Sequence, residues 1–131
     1  MMEKDFDVWN AQKKKLNTDT RKKFCHVREV WWCSFGVNVG FEEDGKGSDF
    51  RRPVLVLRGF NEHIFLGVAL TSKKKSGKYY FPLGVIGDRE ACAILSQIKL
   101  FDARRLISKI GVLNQGTFIK LKSALWQALF Q

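Results

Sequence analysis

No apolar stretch in these 131 residues approaches the roughly 20 that a bilayer-crossing helix needs. The opening Met-Met-Glu-Lys-Asp also lacks the order of a signal peptide. Neither a membrane role nor export is expected, and a soluble cytoplasmic protein is. Cysteine is scarce and odd in number: Cys25, Cys33 and Cys92 share no CxxC spacing. That suits a reducing compartment in which thiols act as small hydrophobic groups. Only His26 and His63 are available to join them, so neither a zinc site nor any other metal or cofactor is expected. Internal repeats, low-complexity tracts and long helices between strands are also missing, which argues against a doubly wound parallel sheet.

Acidic residues run short in one part of the chain only. From Arg51 onward 14 Lys and Arg stand against 4 Asp and Glu, whereas the first fifty residues balance nine against nine. The whole formal charge of +10 therefore sits in the C-terminal two-thirds. Such a footprint fits a polyanion or nucleic-acid partner, and fits equally a solvated face that only maintains solubility.

Hydrophobic periodicity sets out the elements. Residues 5–16 carry Phe6, Trp9 and Leu16 at rough helical spacing, acids first and lysines last, as a helix dipole favours. Strands are expected at Glu29–Phe35, at Pro53–Leu57 and at Ile64–Leu70. A basic loop, Thr71–Lys78, precedes an edge strand Tyr79–Leu83, because Pro82 cannot donate to a ladder. Gly84–Glu90 reads as a turn, Ala91–Phe101 as the longest strand, Asp102 as the cap of a short helical turn and Ile107–Leu113 as the last strand. A terminal helix from Gly116 places Phe118, Leu121, Leu125 and Leu129 on an apolar stripe, with Trp126 and Phe130 widening it toward a partner chain. The expected fold is mainly β with appended α, a small curled sheet or barrel with a helix at each end of the chain. Residues 1–27 form a helical extension and linker, and residues 28–131 the barrel domain with its C-terminal helix.

The informative segment runs from Phe41 to Arg58: a glycine-rich acidic loop ends in Arg51-Arg52, and Pro53 then opens a buried strand. A basic protein that cuts RNA without a metal has a natural route in attack of the 2′-hydroxyl on the adjacent phosphorus. That route needs a proton acceptor, a donor to the leaving oxygen and positive charge on the crowded phosphorane. Arg52 suits the last role, since a guanidinium fork matches two phosphate oxygens. Thr71 offers a hydroxyl at a strand end, and Glu42 a carboxylate to take or relay the proton. Each also has an ordinary reading: Arg52 in a surface ion pair with Glu42, Glu43 or Asp49, worth about 0 to 1 kcal/mol, and Thr71 as a strand-end residue.

Their order along the chain resembles the MazF/PemK-like toxins, ribonucleases of type II toxin-antitoxin modules. The resemblance rests on Glu29-Val30-Trp31-Trp32-Cys33-Ser34-Phe35, on Gly40-Phe41-Glu42-Glu43-Asp44-Gly45 and on Arg52-Pro53-Val54-Leu55-Val56-Leu57. It continues through Ala69-Leu70-Thr71-Ser72-Lys73, Ala93-Ile94-Leu95-Ser96-Gln97-Ile98-Lys99 and Asp102-Ala103-Arg104-Arg105-Leu106. It implies an SH3-like β-barrel of the MazF/PemK/CcdB type and a homodimer that cuts single-stranded RNA without a metal, leaving a cyclic phosphate. It further implies a cognate acidic antitoxin. By the same resemblance Arg52, Thr71 and Glu42 are catalytic, while Phe35, Arg51, Lys73, Gln97 and Lys99 bind RNA. The chain departs from several relatives in carrying Ser96 where they place an acid before the glutamine, which shifts the proton-accepting role toward Glu42. It also inserts Lys46-Gly47-Ser48-Asp49-Phe50 before Arg51.

Two other functions fit the same pattern. A related toxin family uses this barrel to poison DNA gyrase, in which case Trp126 and Phe130 would be the anchors. A non-catalytic nucleic-acid-binding barrel would instead stack bases on Phe35 and Tyr79 or Tyr80.

Overall fold

Alternation along the strand Arg51–Gly59 explains the architecture. Val54 and Val56 face one side, Leu55 the other, and all three are fully buried, so this strand must be covered on both faces. The computed structural model describes residues 6–18, 23–35 and 51–131, with only the backbone of residues 15–18. The acidic loop with Glu42 lies outside the described residues.

Within them the chain forms helix α1 (Phe6–Thr18) and strands β1 (Glu29–Ser34), β2 (Arg51–Gly59) and β3 (Ile64–Thr71). Strands β4 (Tyr80–Ile86) and β5 (Arg89–Asp102), a 3₁₀ turn at Ala103–Arg105, strand β6 (Leu106–Val112) and helix α2 (Gln115–Phe130) follow. All neighbouring strands are antiparallel, in the order β4-β5-β3-β2-β1-β6. Hydrogen bonding does not close the sheet into a barrel, but its edges curl together. A Cβ on Gly87, beside β4, would lie 2.9 Å from Ile110 Cγ2 of β6.

One face of the sheet buries Val30, Leu55, Val68, Leu70, Ala93 and Leu95 against Phe118, Leu121 and Leu125 of α2. Asn114 caps that helix by accepting the Thr117 amide at 2.8 Å. The expected stripe holds except at its end: Ala128 is buried where Leu129, one residue on, is 41% exposed. The other face collects Cys33, Phe35, Val54, Val56, Phe65, Ala69, Phe101 and Leu106, with Phe65 and Phe101 stacked at 5.3 Å. Gly67 is needed here, because a Cβ would come within 2.6 Å of Val54 Cγ1.

Asp102 caps the 3₁₀ turn as expected, accepting the Arg104 amide at 2.9 Å. The segment Gly84–Glu90 is not one long turn. β4 runs on to Ile86 and β5 begins at Arg89, paired with it, leaving a two-residue hairpin at Gly87-Asp88. Gly87 has φ of +67° while Asp88 does not share the positive sign, the signature of a II′ turn, which matches strand twist and favours Gly first. β4 does lie at a sheet edge, with Pro82 in it.

Candidate functional site

β2 and β3 pair with Val54 opposite Ala69, so the same register two residues on brings Arg52 beside Thr71 where the two strands end. Arg52 is only 5% exposed, and its guanidinium Nη1 donates to the Leu70 carbonyl at 3.2 Å. It also lies 5.8 Å from the centre of the Phe35 ring. Lys99 Nζ sits over that ring at 4.1 Å and 5.6 Å from the Phe101 ring. Two cations thus converge on one buried aromatic, contacts worth up to about 2 kcal/mol each when desolvated. Thr71, 8% exposed, accepts the Lys73 amide on Oγ1 at 3.2 Å, a contact that leaves the hydroxyl's own hydrogen to be donated elsewhere.

The expected site residues therefore divide. Arg52, Thr71, Phe35 and Lys99 are gathered around one end of the sheet, but Phe35 is 2% exposed and belongs to the core. It does not offer a face for stacking a base, because Phe65, Phe101 and Leu106 already fill that side; its role is to seat the two cations. Gln97 is half-buried in β5, where residues between Ala93 and Ile98 bulge out of register with β3. Lys73 is exposed in the loop after Thr71, and Tyr79 is the more exposed of the two tyrosines. Glu42 lies outside the described residues.

Arg51 points to a feature that sequence reasoning missed. Its guanidinium stacks on the Trp32 ring at 4.8 Å, at the edge of a cleft of about 180 Å³. Pro53, Ile86 and Ile110 supply apolar wall, Asp88, Arg89 and Glu90 supply charge, and Arg52 and Thr71 also line it. The available signal was the Gly-Asp hairpin between two alternating strands, which turns Arg89 and Glu90 from loop residues into strand residues at the mouth of the sheet.

On the other face, α1 is anchored by Trp9, 5% exposed, over which Arg105 lies at 5.6 Å. Arg105 also donates to the Ser34 carbonyl at 3.1 Å, so the N-terminal helix is tied to the end of β1 beside Phe35. Among the described residues the buried Ser34 hydroxyl has no hydrogen-bond partner. Burial pushes the Cys25 thiol up to about 11 and raises Cys33 and Cys92 as well, which marks all three as poor nucleophiles. Among the described residues no three His, Cys, Asp or Glu side chains converge on a point, and no helix is long and apolar enough to cross a membrane.

Comparison with known proteins adds two findings. The family pattern described as PemK-like, MazF-like toxin of type II toxin-antitoxin system matches residues 26–129. Similar folds are found in MazF from Deinococcus radiodurans, 18% identical, with a TM-score of 0.71 over 83% of this chain and 99% of that one. Another is the toxin MazF-mt6 of Mycobacterium tuberculosis, 17% identical, with a TM-score of 0.59 over 77% and 95%. A mycobacterial endoribonuclease in complex with its cognate antitoxin is 16% identical, with a TM-score of 0.61 over 81% and 95%. At these identities the structural likeness speaks to the fold. No curated protein matches the chain by sequence.

Proposed function

The chain belongs to the PemK-like, MazF-like toxins of type II toxin-antitoxin systems, and from that premise we propose that it is a metal-independent, sequence-specific endoribonuclease acting on single-stranded RNA. The observation that carries the proposal is Arg52, an almost fully buried arginine held at a strand end by the Leu70 carbonyl, one residue from the Thr71 hydroxyl. A surface charge kept for solubility has no reason to accept the desolvation that such a position costs.

In this reading the RNA 2′-oxygen attacks the adjacent phosphorus, the bond from phosphorus to the 5′-oxygen breaks, and the products are a 2′,3′-cyclic phosphate and a 5′-hydroxyl. The 2′ proton passes to Glu42, and the departing 5′-oxygen takes a proton from solvent water. Arg52 binds two non-bridging oxygens and Thr71 donates to the phosphorane, while Lys99, Lys73, Arg51 and Gln97 hold the strand. The protein works as a cytoplasmic homodimer, silenced by an acidic antitoxin that occupies the same basic groove. Residues 1–27 are an extension to the barrel domain of residues 28–131.

Purified protein incubated with single-stranded RNA in EDTA should release fragments ending in cyclic phosphate, and Arg52→Ala should abolish them while the circular dichroism spectrum is retained. Full activity in that variant would remove Arg52 from the site. One observation favours a second reading: Trp126 and Phe130 are 58% and 69% exposed, with ring centres 4.9 Å apart on α2. A non-nuclease toxin that docks a protein such as DNA gyrase through this helix would leave RNA intact and inhibit supercoiling in the same preparation.

A further inference from the structure

We infer that the cleft at the open end of the sheet is a guanine-reading subsite, which selects the base next to the cleaved phosphate; its place in RNA cleavage rests on the ribonuclease reading, but its binding chemistry does not. The cleft of about 180 Å³ is smaller than a typical site for a larger organic ligand, about 300–1,000 Å³, and has room for one planar ring system. Its walls suit such a ring. Pro53, Ile86 and Ile110 are apolar, and Trp32 offers an indole already backed by the Arg51 guanidinium at 4.8 Å. Single-stranded RNA is read in this way, with bases splayed out onto aromatic or guanidinium planes and hydrogen-bonded along an edge.

The edge-reading groups are Arg89, at the start of β5, and Asp88 in the turn before it. Both are exposed, and among the described residues no ion pair or side-chain hydrogen bond joins them, so a guanidinium and a carboxylate stand side by side at the cleft. The hairpin that carries them is fixed by pairing of Ile86 with Arg89 and by the close approach of Gly87 to Ile110. Strand alternation puts Arg89 on the face of Ala91 and Ala93, toward the interior of the curled sheet.

Guanine is the base that complements this array. Its N7 and O6 are adjacent acceptors for an arginine fork, and its N1–H and N2–H₂ are adjacent donors for a carboxylate. Adenine would set its amino group against Arg89, and uracil and cytosine lack two neighbouring donors. Because Arg52 and Thr71 contribute to the same wall, the base held here is the one attached to the nucleotide at the reacting phosphate.

The test is a ¹H–¹⁵N NMR titration of the full-length protein with guanosine 3′-monophosphate, read at the Trp32 indole N–H and at the Arg89 amide. Saturable shifts at both, at least tenfold weaker binding of the adenosine, cytidine and uridine monophosphates, and a tenfold or greater loss in Arg89→Ala are expected. Equal binding of all four nucleotides, unaltered binding by Arg89→Ala, or no shift at Trp32 would overturn the inference. In parallel, cleavage of a random-sequence RNA should cluster beside guanine and lose that bias in Arg89→Ala. RNA cut without guanosine monophosphate in the cleft would overturn the subsite and leave the ribonuclease standing. Guanine binding without cleavage would do the reverse.

Discussion

The two ends of the curled sheet are built from opposite materials. At one end α2 lies across the opening with Phe118, Leu121 and Leu125 driven into the core, and the polar groups there are matched in detail. Glu29 illustrates the matching: its carboxylate takes the Lys109 ammonium at 2.9 Å, the Trp31 indole at 3.0 Å and the His26 amide at 2.8 Å. At the other end Arg51, Arg52, Thr71, Asp88, Arg89 and Glu90 surround an open cleft, and among the described residues neither α1 nor α2 lines it. One end stores stability, and the other gathers charged side chains around an opening.

That division predicts separable effects. Arg52→Ala should lower RNA cleavage per folded molecule on the order of 10³-fold, as removal of a transition-state donor does, well beyond what its loss of a buried contact costs in stability. Leu121→Ala at the covered end should do the opposite. A cavity beneath α2 costs about 2–5 kcal/mol in denaturant unfolding, while the rate per folded molecule stays the same. Loss of activity per folded molecule in that variant would mean that the two ends are coupled.

The third effect is a pH dependence. Burial alone would raise the Glu29 carboxyl, but the hydrogen bonds from Lys109, Trp31 and His26 outweigh it and hold the group at about 2, below its ordinary 4.5. A depressed carboxyl contributes stability that is complete above about pH 4.5 and disappears as the pH falls toward 2. Urea titrations from pH 6 down to pH 2 should therefore show a loss on the order of 2–3 kcal/mol that Glu29→Gln abolishes. The smallest effect expected is a gain. Ser34→Ala removes a buried hydroxyl that has no partner among the described residues and should stabilise the protein by up to about 1 kcal/mol, a shift of a few degrees in melting temperature.

The covered end was the more legible in sequence. Asp102, the strand from Glu29 and the run after Pro53 announce themselves locally, through a capping side chain and through hydrophobic period. Leu129 failed because a helical stripe read by spacing alone cannot tell which of two adjacent residues turns inward at the last half-turn; the smaller Ala128 does. At the open end the sequence yielded the order Arg52 then Thr71 but not the cleft. Trp32, Arg51 and Arg89 meet only because β1, β2 and β5 are brought round one curl, a non-local fact that no window of residues contains. Phe35 misled for the same reason. Its place in the chain fits a groove, whereas the strand pairing turns it inward beneath Arg52 and Lys99.

The position of β1 has a bearing on how the molecule is born. That strand lies between β2 and β6, so its second edge is satisfied only by residues 106–112, and Leu113 then bonds back to Arg28 at 2.8 Å. The second edge of β1 is completed only by a strand far along the chain, Cys33 pairing with Leu106 and Glu29 with Val112. Pairings of such sequence separation close late and slowly. Until β6 arrives the sheet keeps a bare edge along β1, so the pairing of these two strands is the step on which completion of the fold waits.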